Sequence, residues 1–130
     1  MATITRFEDL IAWQEARKLV KMIYKMTSVG ALSKDFGMRD QIQRASVSAM
    51  ANIAEEFDCE STLEFARFPG FARRSAVEVQ SLLYTALDVE YIKEDSFKTH
   101  YEQAKKIKAL IGGLKQGILK NPRRPSSKVP

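Results

Sequence analysis

Apolar residues recur along this chain every three or four positions, the period of a helix with one buried face. Near the start, Phe7, Leu10, Trp13, Leu19, Val20, Ile23 and Met26 keep that step and predict a helix over about 6–28. Thr5-Arg6-Phe7-Glu8 has the form of a capping box, in which side chains satisfy the free N–H groups of a first turn. A second helix is expected over about 37–58. Ser61-Thr62-Leu63-Glu64 is another capping box and opens a third helix, to about 88. Asp95-Ser96 caps a fourth, over about 97–120. No convincing strand and no tandem repeat interrupts this pattern. Four helices of about 20 residues with short links predict an all-α fold, an antiparallel up-down-up-down four-helix bundle over residues 1–120. Residues 121–130 hold three of the four prolines and are expected to form a disordered basic tail.

Two predicted helices contain breakers. Pro69-Gly70 falls inside the third. Proline removes a backbone donor and presses on the carbonyl four residues back, so a kink is expected there, or else a full break. Gly112-Gly113 falls inside the fourth and weakens it by about 1 kcal/mol per glycine, or allows a close helix approach.

The second helix has an unusual wheel. Gln41, Arg44, Ser48, Asn52 and Glu55 fall within an arc of about 80°, beside an apolar stripe of Met38, Ile42, Ala45, Ala49 and Ile53. The remaining side holds Val47, Met50, Ala51 and Ala54, and no charged residue lies between Arg44 and Glu55. A surface helix normally has a charged face. This one is expected to be buried nearly all round, which requires a second subunit and hence a homo-oligomer. Buried polar groups need partners. Arg44, Ser48, Asn52 and Glu55 are therefore expected to join Ser75 and Glu78 of the third helix in a structural polar network.

Charge changes the picture at the other end. Residues 1–102 hold 13 Lys and Arg against 16 Asp and Glu, a net −3, whereas residues 103–130 hold eight cations and no acid. A one-sign run of this kind suggests a polyanion partner. Lys105, Lys106, Lys108, Lys115 and Lys120 lie on the side of the fourth helix away from Ile107, Leu110, Leu114 and Ile118, and Arg123, Arg124 and Lys128 continue into the tail. These eight are the candidate nucleic-acid contacts, with no acid among residues 103–130 to neutralise them. Arg73 and Arg74 are further candidates.

Enzymatic chemistry finds little support. There is no glycine-rich phosphate loop. One cysteine, Cys59, and one histidine, His100, cannot supply an ordinary zinc site. Cys59 sits among acids, which raise a thiol pKa, and the Glu-x-x-His spacing of di-iron bundles is missing. No cofactor and no metal are expected. The N-terminus lacks the apolar run of a signal peptide, no stretch approaches a membrane span, and a cytoplasmic protein is expected.

The stretches "FEDLIAWQEARKLVKMIY", "FGMRDQIQRASVSAMANIAEEF" and "ARRSAVEVQSLLYTALDVEYI" resemble the four-helix-bundle proteins encoded in intervening sequences of bacterial large-subunit ribosomal RNA genes. The resemblance spans roughly residues 6–120 and is also similar, more distantly, to the accessory variability protein of diversity-generating retroelements. It implies a ring-shaped homopentamer without catalytic residues. It further implies a partner that is nucleic acid, or a protein such as a reverse transcriptase; of the nucleic acids, RNA is expected ahead of DNA. Three places depart from the family pattern. Ala49-Met50 stand where Ile-Pro is usual, Glu56 stands where Gly is usual, and Pro69-Gly70 interrupts a normally unbroken stretch. With Glu56 in place, the second helix is expected to run to about Cys59.

Overall fold

The computed structural model describes residues 4–58 and 70–120, with residues 114–120 described as backbone alone. Among the described residues there are four α-helices and no strand: α1 (Ile11–Thr27), α2 (Phe36–Phe57), α3 (Phe71–Asp88) and α4 (Glu94–Lys120). Each packs mainly on two neighbours, α1 on α2 and α4, and α3 on the same two, so the helices stand at the corners of a square. Side-chain contacts fix the register. Gln43 near the start of α2 donates to Thr27 at the end of α1 at 2.9 Å. Ser75 Oγ of α3 donates to Ser48 Oγ of α2 at 2.9 Å, and the Ala72 N–H of α3 to Glu56 of α2 at 3.0 Å. Gln103 of α4 reaches Glu15 of α1, while His100 Nε2, one turn earlier, lies 3.3 Å from the Met22 carbonyl oxygen. Higher numbers on one helix meet lower numbers on the next in each case, as an antiparallel bundle requires.

Leu19, Ile23, Ile42, Ile53, Phe57, Val79, Leu83 and Ile107 fill the centre. Alanines stand between them at Ala16, Ala45, Ala49, Ala72, Ala76, Ala86 and Ala104, all essentially inaccessible. Small residues at these positions let the helix backbones approach while the larger residues interdigitate.

The helix ends depart from the sequence expectation. The Thr5–Glu8 capping box is not formed. Phe7–Asp9 instead make a short 3-10 turn, and α1 starts at Ile11 without a side-chain cap. Buried Leu10 links the two and the Phe7 ring meets Trp13 edge-on at 5.2 Å, so packing rather than capping sets this start. Asp35, not singled out by pattern, caps α2 through the Met38 N–H at 3.1 Å. Its other oxygen accepts from Tyr91 Oη at 2.9 Å, tying the α1–α2 corner to the α3–α4 corner. α4 starts at Glu94, earlier than expected, with Asp95 Oδ1 accepting from the Ser96 N–H at 2.8 Å.

At the other end of the bundle, α2 stops at Phe57, short of Cys59. Gly70 precedes α3 with φ +78°, a left-handed conformation that glycine adopts without steric cost. A kinked but continuous helix through Gly70 is therefore excluded, and α3 is a fresh start. Pro69, Cys59 and the Ser61–Glu64 capping box lie outside the described residues. No described helix is long and apolar enough to cross a membrane.

Candidate nucleic-acid interface

The eight basic candidates of α4 and the tail have different fates. Lys105 is exposed. Lys106 is exposed too, but its ammonium lies 3.2 Å from Glu15 Oε1 of α1. Lys108 is half-buried and donates to Gln80 Oε1 of α3 at 2.9 Å. Lys115 and Lys120 lie in the backbone-only part of α4, and Arg123, Arg124 and Lys128 lie outside the described residues. The expectation that nothing neutralises these cations fails at Lys106. The acid comes from another helix, and sequence proximity does not reveal such a neighbour. Lys108 is likewise a structural lysine that links α4 to α3.

Glu15 is the centre of the α1–α4 contact. It is 8% exposed. Gln103 Nε2 donates to its carboxylate at 3.0 Å and to its backbone carbonyl at 2.9 Å, and Lys18 approaches at 3.1 Å. The Gln103 hydrogen bond, helped by Lys18 and Lys106 and opposed by burial, holds the Glu15 carboxyl at about 2. Hydrogen bonds to the charged form outweigh desolvation here.

The polar residues expected to form one network divide into two groups. Asn52 Nδ2 donates to Ser48 O and Ser48 Oγ, both at 2.9 Å, and Ser75 closes this cluster from α3. These three are half-buried. Glu78 instead accepts from Gln41 at 3.4 Å, at the surface. Arg44 and Glu55 are exposed at the surface of the chain. The buried acid of this helix end is Glu56, 2% exposed, with its Oε2 on the Ala72 N–H. Glu55 and Glu56 stand 100° apart on the helix, so that within the chain Glu56 turns inward and Glu55 outward.

The side of α2 turned away from its neighbours carries Val47, Ala51 and Ala54, each half-buried in the single chain. Arg73 and Arg74 are both exposed, and the Arg74 guanidinium lies 5.6 Å from the Phe71 ring centre.

A second basic surface lies on α1. The exposed charged side chains of α1 are Arg17, Lys18, Lys21 and Lys25, while its one acid, Glu15, is turned inward. The i, i+4 spacing of Arg17, Lys21 and Lys25 was visible. The net −3 of residues 1–102 hid it, because that sum ignores which side of a helix each charge occupies. Among the described residues no cluster of three or more His, Cys, Asp or Glu could hold a metal.

Comparison with known proteins agrees with this architecture. A crystal structure of a protein of unknown function from the S23 ribosomal protein family of Bacteroides thetaiotaomicron superposes with a TM-score of 0.72. It covers 82% of this chain and 96% of its own at 21% identity, a likeness of fold alone. No curated protein matches. The model of the 23S rRNA-intervening sequence protein family matches residues 8–113, nearly the whole described bundle, and the chain belongs to that family.

Proposed function

We propose that the protein is a non-enzymatic, oligomeric nucleic-acid-binding protein that holds structured RNA through the basic end of α4 and the tail. The observation that carries this reading is the run of eight cations without an acid over residues 103–130. Exposed Lys105 leads into that run from the bundle. Phosphate contacts are largely blind to base sequence, so RNAs of equal length and fold should bind alike. Assembly through the outer strip of α2, most simply as a pentameric ring in the cytoplasm, multiplies the charge and turns weak contacts into avidity. The absence of any charged residue between Arg44 and Glu55 supports that assembly.

Lys106 and Lys108 are unsuitable test positions, because changing either disturbs a contact between helices. The informative variant combines Lys105→Glu with deletion of residues 121–130. In a mobility-shift titration with a stem-loop RNA it should bind about tenfold more weakly or worse, and the deletion alone should show a partial loss. Both should sediment as the parent does. Undiminished RNA binding by the combined variant contradicts the proposed contact surface, and a parent sedimenting as a 14.8 kDa monomer contradicts the assembly. A parent that binds no RNA at low salt would favour a scaffold that docks a partner protein.

A further inference from the structure

The outer face of α1 carries a second feature that the reading above does not use. Arg17, Lys21 and Lys25 follow one another at four-residue steps and span about 12 Å of helix axis. All three are exposed, and no acidic side chain of α1 shares their face. Lys18 is set apart by its pairing with Glu15. Beside Arg17 and Lys21 runs a groove of about 850 Å³, lined from α1 by Trp13, Arg17, Lys18, Val20 and Lys21 among others and from α2 by Met50, with Lys25 farther along the helix and outside this lining. Its floor is apolar and its rim cationic. The Arg17 guanidinium lies 5.8 Å from the Trp13 ring centre, and Tyr24, 45% exposed, stands farther along the same side of the helix.

We propose that this groove binds an unpaired nucleic-acid strand, one base lying against Trp13 and the neighbouring phosphates on Arg17, Lys21 and Lys25. A duplex keeps its base faces stacked inside the helix and has none to lay on an apolar floor. An unpaired strand presents both a π-face and charge, which matches aromatic side chains interleaved with cations. The proposal rests on the reading of the protein as a nucleic-acid binder and adds a site separate from α4 and the tail.

Trp13 is the only tryptophan of the chain, so its emission reports on this groove. The full-length protein is titrated with a 20-nucleotide oligouridine, following Trp13 fluorescence together with the anisotropy of a label on the strand. The expected result is a saturable loss of Trp13 emission that tracks strand binding and is relieved by salt. Arg17→Gln/Lys21→Gln/Lys25→Gln should weaken strand binding about tenfold or more and flatten its salt dependence by about two units of slope. These are exposed positions, and an unchanged thermal melt shows that the bundle persists. Deleting residues 121–130 should leave the Trp13 response in place. Strand binding with no Trp13 response, or with full affinity in the triple variant, overturns the groove while leaving nucleic-acid binding by α4 intact. Equal quenching by uridine monophosphate at the same phosphate concentration overturns the assignment to a strand. A parent that binds neither the strand nor a stem-loop overturns both readings.

Discussion

Glu56→Ala is expected to lower the stability of the bundle by about 2–3 kcal/mol, with a midpoint drop of roughly 10 °C for a domain of this size. Glu56 is 2% exposed and its Oε2 accepts from the Ala72 N–H at the first turn of α3. Helix starts leave N–H groups without intrahelical partners and carry partial positive charge. The Glu56 carboxylate answers both needs, and its removal strands a buried donor. Glu55→Ala, on the exposed side of the same turn, leaves that cap in place and should cost roughly half as much or less. Urea denaturation of the two variants side by side checks the order. Equal losses would mean that the cap contributes nothing beyond ordinary truncation.

Glu15→Gln is expected to have the second large effect, one that depends on pH. The folded-state carboxyl is held at about 2 against an ordinary value of 4.5. A depressed carboxylate contributes stability above its unfolded value and loses it as pH falls through the folded one. The contribution should therefore be complete above about pH 5 and fade between pH 4.5 and 2. Lys18 and Lys106 are themselves largely exposed, so solvent screening reduces what the shift contributes to about 1–2 kcal/mol. Parent and variant should accordingly differ by roughly that much at pH 7 and converge near pH 2. A gap that stays constant from pH 7 to pH 2 would show that the Gln103 contact does not depend on the charge.

The helices and their order were legible in the sequence because apolar periodicity records which face is buried. Leu19, Ile23, Ile42 and Ile53 stand in the core as their spacing requires. What sequence alone misplaced were properties of helices in contact. Whether Glu55 or Glu56 turns inward depends on where α3 begins. That in turn depends on the left-handed Gly70, which lets α3 start at Phe71, within reach of Glu56. Glu56 and Gly70 thus meet at one joint.

The basic residues follow the same logic. A count along the chain treats Lys106 and Lys105 alike. Only the packing of α4 on α1 assigns Lys106 to Glu15 and leaves Lys105 in solvent. The Arg17–Lys21–Lys25 ridge was present at helical spacing, and the acids elsewhere in the first 102 residues outvoted it in the sum.

Nucleic-acid binding itself is tested most directly by the salt dependence of the unmodified protein. Anisotropy of a labelled stem-loop RNA is followed at a series of salt concentrations from about 50 to 200 mM. Contacts to several phosphates predict a log–log slope of about −3 or steeper, with little change when the loop sequence is scrambled. Binding that is flat across this range, or absent at the lowest salt, would contradict a phosphate-reading surface anywhere on this bundle.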